Sequence, residues 1–595
     1  MKNNKKRTVK LLGTAFASSR RYTLLYIFLY VIQGVLPAVL TLLEAEFLNK
    51  VLSLLSSDGS FSYILCKGTM ILLLISVQWE SGAVQQFVSN LLLSKMKVFI
   101  NERIYDKKAK IDYKNFENDD ICNLIYQVSE EPEKKLINAL KNRMMLVSDI
   151  ITVISYLMIL LPVLSLKIWI LLLLVFPLLG MSVKSGQKSY QLNRELLFEK
   201  RKADYLFEIL NGKEAANERQ IFRYSKNIND RNYTINETIR HHEKKMKLKW
   251  FLRLKSSAIL IAGLTCVLCV DMFYRVVSKR LSLGMFISMF QALNSLISKL
   301  TWQITELTDK MAKDKGFILD LNRFFQITES NGYEQDTYEF DWRDFKELEL
   351  KNVSFMYPNA DHYVLKDFSF RFEKGKKYSL VGVNGSGKST LIKLLLGLYD
   401  EYTGTILING HDIRELKREN LHEVFSVVFQ DFARYQLSIE EIMSLVDPKL
   451  LCKREYIYEE TDFIKFVQSL PEGEQTKLGK IYDTNVDLSG GQWQKLSVVK
   501  SLIKQAAIYI LDEPTASLDP ISELKLYEQY RKLKENDTLI LISHRLGITK
   551  NADVIILLNE GMLVAAGSHE EVYNTCPLYQ EMFNLQKEWY AYEHC

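Results

Sequence analysis

With 595 residues, 48% of them hydrophobic, and a formal charge of +6, the chain is too long for one ordinary domain and too apolar for a disordered one. Its seven cysteines are scattered, and the single close pair, Cys266 and Cys269, sits in an apolar run with no second ligand pair. A structural zinc module is therefore excluded. The small basic excess is accounted for by the loops described next and calls for no nucleic acid.

Taken in chain order, the first half carries six apolar runs, at 22–43, 63–88, 146–166, 168–183, 256–277 and 285–304, which are candidate membrane spans. Gln78 and Glu80 interrupt the second, and Asn294 and Lys299 the sixth. Ahead of the first run stand Lys2, Lys5, Lys6, Arg7, Lys10, Arg20 and Arg21 with no acidic residue. That places the N-terminus in the cytoplasm of a multi-pass protein of the cytoplasmic membrane. The basic stretch 95–114 agrees, whereas Arg275, Lys279 and Arg280 fall on an outer loop and run against the rule. Glu44 and Glu46 follow about 22 residues of helix, roughly 30 Å, which puts them at the outer interface. Spans two to three and four to five are joined by long polar helical connections, which turn near 115–120 and 212–222. The division expected is a membrane domain at 1–327, a polar linker at 328–345 and a second domain at 346–595.

In the second half, 377–381 reads as a buried strand and the residues from Thr390 onward as a helix. Between them Gly382 to Ser389 spell G-x-x-x-x-G-K-S. Glycines there let the backbone amides of Asn384, Gly385, Ser386 and Gly387 turn toward phosphate oxygens, and the helix start at Thr390 adds partial positive charge. Lys388 neutralises the outer phosphates of a nucleotide, and Ser389 ligates magnesium. A second apolar strand, 508–511, ends on Asp512 and Glu513. There Asp512 reaches magnesium through water and Glu513 polarises an attacking water as general base. The structural alternatives, a glycine turn and an acidic strand cap, account for either motif alone but not for their combination.

Leu488-Ser489-Gly490-Gly491-Gln492 then decides between them. Together with the phosphate loop and the Asp512-Glu513 strand end, it resembles the ATP-binding-cassette family. The resemblance implies that Ser489, Gly490, Gly491 and Gln492 complete the ATP site of a partner chain. It implies that Gln430 is the glutamine that senses magnesium and assists catalysis, and that His544 is the catalytic switch histidine. Tyr357 becomes the ring under adenine, and Asp519 part of the loop that follows the Asp-Glu pair. The implied fold is an α-helical six-span membrane domain joined to an α/β P-loop ATPase, an exporter half-transporter that uses ATP and Mg2+ in the lipid bilayer. Its partner is a second half-transporter; intact motifs make a homodimer the economical form, and a heterodimer remains open. The flanks of Gln430 and of the signature resemble lantibiotic and bacteriocin exporters, which points to a ribosomally made peptide as substrate. Alternatives are a multidrug or lipid exporter, other amphipathic cargo, or an exporter-fold importer. The stretch 480–487 lacks the Gly-Glu-x-Gly of many drug exporters, and Asp483 is its closest stand-in.

Overall fold

The computed structural model describes residues 10–54, 61–164, 167–212, 215–329, 340–358, 360–446, 454–479, 486–513, 528, 536–543 and 549–592. The chain divides into two compact units, one made of residues 1–109 and 120–327, the other of 110–119 and 328–595. The ten residues 110–119 thus pack with the second unit although they lie within the first half of the sequence.

The first unit is helical. Its long elements are α1 (Arg20–Leu54), α2 (Phe61–Lys110), α3 (Pro132–Leu164), α4 (Lys167–Glu195), α5 (Ser225–Val277), α6 (Leu283–Ser298) and α7 (Ile304–Gln326). Four stretches of helix among the described residues are long and apolar enough to cross a membrane: Arg20–Ser53, Ser62–Lys110, Pro132–Leu164 and Leu283–Gln326. They contain the first, second and sixth apolar runs and residues 146–164 of the third. The fourth and fifth runs lie within the unbroken helices α4 and α5. Ala38, Leu160, Leu268, Met272, Leu293 and Leu296 share a buried core, whereas Leu72, Leu73 and Phe87 of α2 point outward, as side chains that meet lipid do.

Close contacts hold the helices together. At Gly34 of α1 an added Cβ would come within 2.8 Å of the Ser148 carbonyl oxygen of α3, so only glycine allows this approach. The Thr152 hydroxyl uses it, donating to the Gly34 carbonyl at 2.9 Å. Between α6 and α7, Lys299–Gln303 forms a π-helical turn. Its first residue, Lys299, is ion-paired with Asp149 of α3 and also donates to Gln303 at 3.2 Å. The charge that interrupts the sixth run is therefore matched by a carboxylate that nothing in the local sequence pattern singles out. At the far end of the first span Glu46 accepts from Tyr63 at 2.5 Å and from Lys67 at 2.9 Å.

The second unit contains two sheets. One is antiparallel, in the order β2-β1-β4-β5, and is built from β1 (Glu347–Phe355), β2 (Leu365–Glu373), β4 (Thr403–Ile408) and β5 (His411–Asp412). The other has the order β10-β9-β3-β8-β7-β6, from β3 (Lys377–Val381), β6 (Phe425–Val428), β7 (Ile508–Asp512), β8 (Thr538–Ile542), β9 (Val554–Asn559) and β10 (Met562–Gly567). Strands β3, β7 and β8 are buried along their whole length, which explains their unbroken apolar runs. Parallel register sets Leu380 beside Ile542, Leu541 beside Leu511 and Leu511 beside Val428. The carboxyl ends of four strands therefore finish side by side, the place where open α/β sheets bind ligands.

Candidate functional site

Everything the phosphate loop does follows from that shared edge. β3 ends at Val381, and the chain turns through residues 382–387 into helix α8 (Lys388–Leu395). Gly385 and Gly387 have φ of 79° and 102°, a region open to glycine. At Gly382 an added Cβ would lie 2.3 Å from the Leu558 carbonyl oxygen of β9, whereas at Gly385 it would meet nothing within 4 Å. The loop is thus closed against the sheet at one end and open at its tip. The buried Ser386 hydroxyl has no hydrogen-bond partner, and Asn384, Gly385 and Ser389 are exposed.

Lys388 is buried, and its ammonium donates to the carbonyls of Gly382 at 2.8 Å and Val383 at 3.0 Å. Burial lowers its pKa, while Glu513 and Asp512 act in the opposite direction. An anion at the open tip would relieve both the buried cation and the orphan Ser386 hydroxyl. The residues therefore fit the phosphates of a nucleotide.

Two strands away, β7 delivers the acidic pair. Asp512 is 7% exposed. Burial, Glu513 and Asp431 push its carboxyl up to about 6, against a downward pull from Lys388. Glu513 takes a left-handed backbone with φ of 45°, a conformation rare outside glycine and typical of strained functional positions. Its N–H donates to the Ile542 carbonyl at 3.1 Å. Because β6 pairs with β7, Gln430, two residues past the end of β6, comes beside Glu513: its amide Nε2 donates to Oε2 at 2.9 Å. Sequence distance between the two is 83 residues; the sheet order alone joins them.

For a divalent cation the oxygens on offer near the loop would be the exposed Ser389 hydroxyl, the Asp512 carboxylate and the Gln430 amide oxygen. Among the described residues no group of three or more His, Cys, Asp or Glu converges on a metal site. Such a hard oxygen set, with one carboxylate, suits Mg2+ completed by phosphate oxygens and water.

Tyr357 lies just beyond β1, partly buried, with its hydroxyl 3.0 Å from that of Thr390 on α8. Its ring stands edge-on to Phe355 and Tyr399. The signature segment opens helix α9 (Gly490–Ile503). Ser489 caps it: its hydroxyl accepts from the Gln492 N–H at 3.3 Å, and the Gln492 side chain accepts from the Ser489 N–H at 2.8 Å. Ser489, Gly490 and Gln492 are exposed and Gly491 partly so, so this helix start faces outward. His544, Asp519 and Asp483 lie outside the described residues. The 212–222 turn contains the helix Ala216–Phe222, where Arg219 donates to the Ile209 carbonyl at 2.7 Å.

Comparison with known proteins agrees with this geometry. Residues 365–516 match the family model "ABC transporter". The chain is similar to the subtilin transport ATP-binding protein SpaT of Bacillus subtilis, at 29% identity over 97% of this chain and 93% of that protein. It is likewise similar to the nisin transport ATP-binding protein NisT of Lactococcus lactis subsp. lactis, at 27% identity over 97% and 95%. Among solved structures it resembles a bacterial Atm1-family ABC exporter with ATP bound, with a TM-score of 0.78 and 20% identity, covering 95% of this chain and 98% of that one. The chain thus carries an ABC transporter domain in its second half and, along its length, has the fold of an ABC exporter.

Proposed function

We propose that the chain is one half of a dimeric, ATP-driven exporter that moves a ribosomally made peptide out across the cytoplasmic membrane. The observation that carries the ATPase part is the junction of Gln430 and Glu513 at adjacent strand ends, beside Asp512 and the phosphate-loop lysine. Glu513 takes the proton of the water that attacks the terminal phosphate, and the Gln430 amide keeps that carboxylate aimed. Lys388 and the loop amides hold the phosphates. Ser389, Asp512 and Gln430 would hold Mg2+, which when bound would supply charge neutralisation on the phosphate oxygens. Tyr357 carries the adenine, while His544 and Asp519 take the switch and loop roles of the family.

Dimerisation is supported by the outward-facing start of α9, where Ser489, Gly490, Gly491 and Gln492 are placed to cap the phosphates held by a second copy. The peptide part is supported by similarity to the subtilin and nisin transport proteins over nearly the whole chain. The expected domain limits, 1–327, 328–345 and 346–595, carry over with one change of emphasis: residues 110–119 work with the ATPase.

Inside-out vesicles bearing the protein test the reading. Candidate lantibiotic-type peptides should accumulate inside in an ATP-dependent manner and change the ATPase rate at saturating ATP. Stimulation and uptake confined to lipids or small hydrophobic drugs would overturn the peptide assignment while leaving the ATPase assignment intact.

A further inference from the structure

We infer that the inserted segment 110–119 forms the second wall of the nucleobase site, and that Lys393 is the positioning residue through which an occupied base site holds that segment in place. The inference rests on the nucleotide-binding reading above and extends it to a part of the chain far from the phosphate loop in sequence.

The segment is anchored within its own unit. Its Ile111 bridges Glu329, and the Asn115 amide donates to the Thr328 hydroxyl at 3.2 Å. Lys114 pairs with Glu401. Between these anchors residues Tyr113–Glu117 form a 3-10 turn that presents Tyr113 and Glu117 to helix α8.

Lys393 lies one helical turn beyond Ser389 and Thr390, on the same side of α8. Its ammonium is 3.3 Å from the Glu117 carboxylate. It also stands 5.4 Å, 5.6 Å and 6.0 Å from the ring centroids of Tyr113, Tyr357 and Tyr399. One cation therefore touches the platform ring, its supporting ring, and two side chains of the inserted segment. Tyr113 closes the cage with an edge-on contact to Tyr399 at 5.7 Å.

Beside this cage a cavity of about 480 Å³ opens, lined on one side by Tyr357, Pro358 and Ala360 and on the other by Asn115, Glu117 and Asn118. A purine lying on Tyr357 occupies that space and meets the polar edge of the segment. It also displaces water from around Lys393, which strengthens both the Lys393–Glu117 attraction and the cation–ring contacts. Base and segment thus favour each other, and the effect must be reciprocal. Phosphates alone, bound at the other end of α8, contribute none of it.

Hydrogen exchange on the full-length protein in nanodiscs separates these contributions. Mg·ADP carries a base and Mg·pyrophosphate does not; both should slow exchange at 382–390. Only ADP should slow exchange at 110–119, by about fivefold or more relative to pyrophosphate. Lys393→Met should abolish that difference while keeping protection of 382–390, and Lys393→Arg should restore much of it. Glu117→Gln provides a second variant, expected to lessen the difference too. Equal protection of 110–119 by pyrophosphate and ADP, or an undiminished difference in both Lys393→Met and Glu117→Gln, overturns the inference alone. Absence of ADP protection at 382–390 overturns the nucleotide reading and the inference with it.

Discussion

The cassette and the membrane unit solve the burial of charge in opposite ways. In the cassette, buried Lys388 at the start of α8 and buried Asp512 at the end of β7 have partners that a ligand would complete: backbone carbonyls for the lysine, a carboxyl raised by burial for Asp512. In the membrane unit the buried charge is already matched, Lys299 against Asp149. Cost left outstanding at one site invites a ligand, whereas a matched pair holds helices together. The comparison teaches that burial of an ionisable group marks a binding site only where the structure withholds its counter-charge.

Four experiments test that contrast, from the largest expected effect downward. Glu513→Gln removes the base but leaves the cradle, so purified protein should bind ATP yet hydrolyse it about 100-fold to 10,000-fold more slowly. Turnover at the wild-type rate would remove Glu513 from the mechanism. In the membrane unit, Asp149→Asn leaves the half-buried Lys299 ammonium without its counter-charge and should destabilise that unit by about 1–3 kcal/mol. Replacing both partners, as in Asp149→Leu with Lys299→Met, should recover most of the loss in thermal unfolding of the detergent-solubilised protein. A double replacement as damaging as the single one would mean that the pair does more than match charge.

Acid sharpens the contrast further. Burial raises the Asp512 carboxyl from its ordinary 3.8 to about 6 in the fold. As pH falls through 6 this carboxyl protonates, and Mg2+-dependent nucleotide binding should weaken by up to about tenfold per unit. Stability moves the other way. The ionised form is the one the fold disfavours, so ligand-free protein should gain stability relative to Asp512→Asn as pH drops from about 7 toward 4. Nucleotide titrations and unfolding midpoints across that range would reveal both slopes, and parallel slopes would contradict the burial argument.

The smallest effect concerns Ser489. Asn caps a helix about as well as Ser, so Ser489→Asn should keep stability within about 0.5 kcal/mol. ATPase activity of the dimer should nevertheless fall, because the asparagine amide replaces the hydroxyl offered to the partner's site. Unchanged ATPase would reduce Ser489 to a helix cap.

Much of the cassette was legible in the chain itself. The positions of β3 and β7 follow from their apolar runs, and the loop glycines from the need for positive φ, because strands buried on both faces and glycine turns are dictated by neighbours in sequence. The six apolar runs were legible for the same reason. What no local pattern contains is pairing across long separations. Gln430 meets Glu513 only because β6 lies next to β7. Lys299 finds Asp149 only because the π-helical turn that follows α6 packs beside α3. Lys393, an unremarked residue of the phosphate-loop helix by sequence, gains its cage because residues 110–119 pack within its own unit. Local chain chemistry decided which residues can bind phosphate, magnesium and membrane; tertiary structure alone decided which of them share a site, since contacts between distant segments depend on strand order and helix packing rather than on spacing along the chain.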